Sequence, residues 1–134
     1  MRDRSATLAA ILLLSLFVCS VPALAHHSIA SEYDIHQAVT ISGKVTRVEW
    51  MNPHIYVYLD SKDDSGKAVH VVVQAGAPNS LTRLGWKRDS LRAGDFITVA
   101  GFRARDGWNL INARDVTMAD GHKVQVMVID PQHN

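Results

Sequence analysis

The stretch His54-Ile55-Tyr56-Val57-Tyr58-Leu59-Asp60, followed by Ala68-Val69-His70-Val71-Val72-Val73-Gln74-Ala75, decides the fold of this chain. In the first segment Ile55, Val57 and Leu59 fall on one parity and His54, Tyr56, Tyr58 and Asp60 on the other. Side chains of a strand point alternately to its two faces, so this is a strand with one buried face and one polar face. The second segment divides the same way, with Val69, Val71 and Val73 inward and His70, Val72 and Gln74 outward. Lys62-Asp63-Asp64-Ser65-Gly66-Lys67 between them has the composition of a hairpin loop. An antiparallel hairpin brings the two outward sets side by side.

Working outward, Val39, Ile41 and Val45 alternate, but Val48 and Trp50 take the opposite parity. A strand changes faces without ending if it holds a bulge, which this pattern places near Thr46-Arg47, with Gly43 easing the bend. Asn52-Pro53 then turns the chain into the second strand. Beyond Ala75, Asn79 or Ser80 can cap a short helix in which Leu81 and Leu84 share a face and Gly85 ends the run. Leu91 to Asp95 is a turn into a strand carrying Ile97 and Val99. Asp106-Gly107 leads to a strand through Leu110 and Val116, and Asp120-Gly121 to a last strand over Lys123 to Ile129. The expectation is an all-β fold with minor α: a small OB-like Greek-key barrel of five to six strands, with one short helix between strands 3 and 4. A β-sandwich has the same periodicity and is the alternative, although it does not need the helix at that place.

The beginning of the chain reads differently. Arg2 and Arg4 precede an apolar run, Ala6 to Val18, and Ala23-x-Ala25 is a small-residue cleavage site. That order of parts is a secretory signal peptide over residues 1–25, which places the protein in the periplasm, with no membrane insertion after cleavage. Residues 26–37 read as a polar, extended N-terminal arm and 38–134 as a single OB-like β-barrel domain. The one cysteine, Cys19, lies in the leader, and Val18 before it is a poor residue for lipoprotein processing. The exported domain then has no disulfide, thiolate metal site or cysteine nucleophile. The full chain carries 14 Lys+Arg and 13 Asp+Glu, and losing Arg2, Arg4 and Asp3 leaves the two signs balanced. A nucleic-acid binder shows a basic excess, so the cluster Arg83, Lys87, Arg88 and Arg92 reads as a solvated face.

Several segments together resemble the exported bacterial proteins grouped as the DUF6152 family. They are Ala25-His26-His27-Ser28, Gly43-Lys44-Val45-Thr46-Arg47-Val48-Glu49-Trp50, Asn52-Pro53-His54, Gly76-Ala77-Pro78-Asn79-Ser80-Leu81 and the run from Leu91 to Gly101. The likeness extends from His26 to about Lys123 and implies a small periplasmic OB-like barrel. It implies no activity.

Two constellations carry candidate chemistry. His54, Tyr56, Tyr58, His70 and Gln74 form a ligand-binding face on strands 2 and 3, where OB-type barrels commonly hold ligands; tyrosine and histidine can stack on a ring or sugar and hydrogen-bond to it. The bland reading is a half-exposed sheet face populated by good strand formers. The second constellation is metal-binding: His26, His27 and His54. Cleavage after Ala25 would leave His26 first, and its α-amine and imidazole can chelate one metal, with a distant histidine completing a T-shaped site suited to copper. This resembles the histidine brace of certain exported copper proteins. His54 is the first candidate for the third nitrogen and His70 the second, while His36, His122 and His133 are weaker. No GxSxG, Gly-rich phosphate loop or HExxH is present, so the expectation is a non-enzymatic periplasmic binding or accessory module for a partner or small ligand, without nucleic acid. Copper binding is the alternative. Of the tryptophans, Trp50 reads as core, Trp86 as a cover for one barrel end and Trp108 as a loop residue.

Overall fold

Why the chain closes into a barrel is seen first in its valines. A computed structural model describes residues 29–107 and 109–126. In chain order the elements are α1 (Ile29–Glu32), β1 (Tyr33–Trp50), β2 (Ile55–Lys62), β3 (Ala68–Gln74), α2 (Pro78–Arg83), β4 (Phe96–Ala104), β5 (Leu110–Met118) and β6 (Lys123–Gln125). Val45, Ile55, Val57, Leu59, Val71, Val73, Ile97, Val99, Ile111 and Val116 are all buried in one cluster. They come from five strands that each present one parity inward, and with only two short helices among the described residues to cover that face, the sheet buries it by curling on itself.

The sheet order is β3-β2-β1-β4-β5-β6, and β3 pairs with β5 to close the ring. That closing pair is parallel, Val72 opposite Leu110 and Gln74 opposite Asn112, whereas the other strand pairs are antiparallel. A closed ring with this order is the OB-like Greek-key plan, and it excludes the sandwich. The outer edge of β5 is shared. Its first residues meet β3, and Asp115 to Thr117 meet β6.

The β2–β3 register follows the sequence reading: Tyr56 faces Gln74, Tyr58 faces Val72 and Asp60 faces His70. Magnitudes explain why it does not slip. Each buried Val, Leu or Ile contributes about 1.5–3 kcal/mol, and a one-residue slip would expose the whole inward set. The exposed Asp60–His70 pair contributes at most about 1 kcal/mol. Asp63 holds the loop by accepting from the Ser65 N–H and hydroxyl and the Lys67 N–H, bonds that keep its carboxyl below the usual range.

The bulge falls where the parity change requires it, between Val45 and Arg47. Thr46 is the extra residue, and its hydroxyl donates to the Tyr58 carbonyl at 3.2 Å. Gly43, paired with both Ser61 of β2 and Ile97 of β4, serves a tighter purpose than easing a bend. A Cβ there would stand 2.6 Å from the Asp60 carbonyl oxygen.

Four expectations need correction. Of the expected arm, residues 26–37, the described part is not uniformly extended: Ile29–Glu32 forms a second helix, and the extended run from Tyr33 already belongs to β1, which was expected to start at residue 38. Helix α2 starts one residue before the proposed caps, with Pro78 in its first turn, where a missing N–H costs nothing. Neither Asn79 nor Ser80 caps it, since Ala77 stands at the cap and makes no side-chain bond. Leu81 is fully buried but Leu84 is 45% exposed at the C-cap, so the two do not share the core face. Gly85, with φ +91°, ends the helix as read. Trp86 and Leu91 close that end of the barrel against Leu81, as the reading of Trp86 anticipated, while Trp50 is only half-buried against the core. Trp108 and residues 127–134, including the end of the expected last strand, lie outside the described residues.

Candidate functional site

The outer face of β2 and β3 forms from the alternation just described, but it divides into two chemically different ends. At one end Tyr58 is held on both sides. Its hydroxyl donates to Glu49 Oε2 at 2.8 Å, and the Arg47 guanidinium lies 4.0 Å from its ring centroid. Arg47 also pairs with Glu49 at 3.1 Å. The hydrogen bond to Glu49 is the main reason the Tyr58 phenol is pushed above its usual range. A ring already covered by a cation and tied by its hydroxyl has one face left for stacking. Beyond it, His70 Nδ1 lies 2.6 Å from Asp60 Oδ1, on a side chain 93% exposed.

The other end is more enclosed. His54, just ahead of β2, and Tyr56 are half-buried and meet edge to face, ring centroids 6.5 Å apart. The backbone around His54 is fixed because the Ile55 N–H donates to the Gly76 carbonyl and the Ala75 N–H to the Ile55 carbonyl. Gln74 points outward by parity yet is only 8% exposed. Its cover is Tyr33, 2% exposed, whose hydroxyl donates to Gln74 Oε1 at 2.6 Å. Burial, with the Glu32 and Tyr56 charges adding to it, pushes the Tyr33 phenol up to about 12. The N-terminal segment is thus docked on this end, and Arg105 Nε fixes it by donating to the carbonyls of Ala30 and Tyr33. Asn112 is Gln74's register partner on β5. Asn112 Oδ1 and His54 Nδ1 are buried with no hydrogen-bond partner among the described residues.

The register puts Tyr56, Tyr58, His70 and Gln74 on the outer side of β2 and β3, with His54 just ahead of β2, and one exposure differs from the expectation. Gln74 is not an open contact residue but the buried support of Tyr33, because a residue remote in sequence folds over it. His54 and Tyr56 remain available, Tyr58 and His70 are engaged by neighbours, and His26 and His27 lie outside the described residues. Tyr33, Arg47, Glu49 and Asn112 escaped the sequence reading. Arg47 and Glu49 become neighbours of Tyr58 and Tyr56 only once the bulge is counted. Tyr33 continues the parity of Ile35, Val39 and Ile41, but nothing local names Gln74 as its partner. Among the described residues no group of three or more His, Cys, Asp or Glu side chains could hold a metal ion, and no helix is long and apolar enough to cross a membrane. Two concavities, of about 610 and 390 Å³, flank the barrel, and neither includes His54 or Tyr56.

Fold and face together define a small OB-like barrel that carries His54 and Tyr56 on the outer side of its sheet, outside both concavities. The chain belongs to DUF6152, a family of unknown function, whose model matches residues 13–114. No curated protein matches the chain significantly.

Proposed function

We propose that this chain is a non-enzymatic periplasmic binding or accessory module whose contact surface is the His54–Tyr56 end of the β2–β3 face. One observation carries the reading: His54 and Tyr56 stand half-exposed on rigid backbone beside the Tyr33–Gln74 support, while Tyr58 and His70 already have partners. A surface of two aromatic rings suits a partner or a ring-shaped small ligand held by stacking and edge hydrogen bonds. The leader read in residues 1–25 supports the compartment.

The test is backbone amide mapping on titration with benzoate and with methyl glucoside, as ring and sugar probes. Shifts gathered at Tyr33, His54, Tyr56 and Gln74, and lost in Tyr56→Ser, support the reading. Shifts scattered over the barrel, or none with either probe, count against this face as a ring or sugar site.

A second reading, copper held by His26 with His54, is favoured by two observations. Buried His54 Nδ1 has no hydrogen-bond partner among the described residues, and Ile29 enters the fold three residues after His26, at the Tyr33 end of the same face. His27 would be an adjacent ligand. Intact mass of the exported protein followed by copper titration tests it. A mature start elsewhere than His26, or binding insensitive to one residue added before His26, ends the copper reading and leaves the face untouched.

A further inference from the structure

β1 is paired unevenly, and its unpaired stretch has the properties of a self-association edge. On one side β1 meets β4 from Ala38 to Lys44; on the other its ladder with β2 stops at Gly43 opposite Ser61. Two sets of bonds show which way each peptide group points. The Val45 N–H and carbonyl bond Asp95 and Gly94, continuing the β4 side, and the Ser42 carbonyl accepts from Ser61 Oγ on the β2 side. Backbone groups of a strand alternate between its edges. The N–H and carbonyl groups of Ala38 and Thr40 therefore point, like those of Ser42, to the side where β2 has already ended, and no described residue bonds them.

Edges of this kind are normally blunted by charge, proline or a bulge. Ala38-Val39-Thr40-Ile41-Ser42 has no charge and no proline, and its bulge lies outside it, between Tyr33 and Ala38. Ala38 and Thr40 are exposed, and Thr40, Ile41 and Ser42 line a 610 Å³ concavity shared with Ser61 to Asp64 at the β2–β3 hairpin, so a second strand would enter between that edge and the hairpin.

We propose that this edge pairs with the same edge of a second copy, antiparallel about a two-fold axis at Thr40. The sequence is self-complementary in that register. Thr40 meets Thr40, a favourable cross-strand pair, and Ala38 meets Ser42, whose carbonyl keeps a second lone pair free for a further bond. Val39 then lies beside Ile41 of the other copy, and the two half-buried side chains cover one another. Within Ala38–Ser42 no charge faces the axis, and the charged Lys62, Asp63 and Asp64 lie beside it. The two-fold makes the contact closed, so it ends at a dimer. This interface is separate from the His54–Tyr56 end of the His/Tyr face, although its concavity includes Asp60, the partner of His70.

Sedimentation across a concentration series tests the proposal, with Thr40→Pro and Thr40→Lys as variants. Thr40→Pro removes an outward N–H that β4 does not use, as an edge strand tolerates; Thr40→Lys charges an exposed position. The expected result is a reversible dimer whose dissociation constant rises about tenfold or more in Thr40→Lys, and likewise in Thr40→Pro if that variant folds. The Ala38 and Thr40 amides should be protected from exchange in the dimer and exposed on dilution. A chain that stays monomeric at all concentrations overturns it, as does a dimer indifferent to Thr40→Lys. So does protection of both amides in a monomer, which would mean that the chain's own terminal segment covers the edge.

Discussion

Replacing Tyr33 by Phe removes one oxygen and leaves the ring in place. The lost hydroxyl is the donor, at 2.6 Å, to Gln74 Oε1, and Gln74 is 8% exposed, so the orphaned amide oxygen has little access to water. Leaving a buried acceptor unsatisfied costs about 1–3 kcal/mol. At about 4–8 °C per kcal/mol for a domain of this size, a loss of about 2 kcal/mol lowers Tm by about 8–16 °C. Thermal and urea unfolding followed by circular dichroism measure it. The double variant Tyr33→Phe/Gln74→Leu replaces both partners with apolar groups and should recover much of the loss. Alkali supplies an independent check. Burial raises the folded phenol from 10.0 to about 12, so the neutral form is the one the fold favours. The stabilisation it gives is complete below about pH 10 and disappears as pH climbs from about 10 to about 12. Tyr33→Phe should lack that alkaline loss. A Tyr33→Phe protein within about 0.5 kcal/mol of the parent, the range of an ordinary surface change, would refute the docking of the N-terminal segment over β3.

Gly101→Ala should be severely destabilising, by more than the roughly 1–3 kcal/mol usual for overpacking, because its Cβ would run into the Asn112 carbonyl; expression and urea midpoint report it. Leu81→Ala should cost about 2–5 kcal/mol, while Leu84→Ser should stay within about 0.5 kcal/mol; equal urea midpoints would contradict the 0% and 45% exposures. His70→Ala, breaking a highly exposed pair with Asp60, should cost less than about 1 kcal/mol by the same assay, and a larger loss would give that pair a structural role the geometry does not.

What the sequence carried was the periodic part. Val57 and Leu59 announce their face because each sits between Tyr or Asp neighbours, Val71 and Val73 share the parity opposite to His70 and Gln74, and the parity change after Val45 announces the bulge. The closing of the ring was less legible, since β3 meets β5 in parallel across Val72 and Leu110 and nothing near either residue names the other. Tyr33 is the sharpest case. It shares parity with Ile35, Val39 and Ile41, but Gln37 interrupts the alternation, and its partner Gln74 is 41 residues away. For the same reason Gln74 was placed on the correct face with the wrong exposure: parity is local and cover is not. Leu84 failed on length, because a six-residue helix is too short for a spacing of three to define a face.

The join between β3 and β5 gives the His/Tyr end a thermodynamic consequence. That join is three register pairs long, Val72–Leu110 to Gln74–Asn112, and it is the seam that turns an open sheet into a ring. Tyr56 borders it on β2, and Tyr33 is bonded to its last residue pair through Gln74. Anything resting on these side chains bridges three strands and favours the shut state over transient gaping. By linkage, whatever holds the ring shut must equally tighten the grip on such a guest. For the proposed contact surface, breathing of the barrel and occupancy would be one coupled equilibrium.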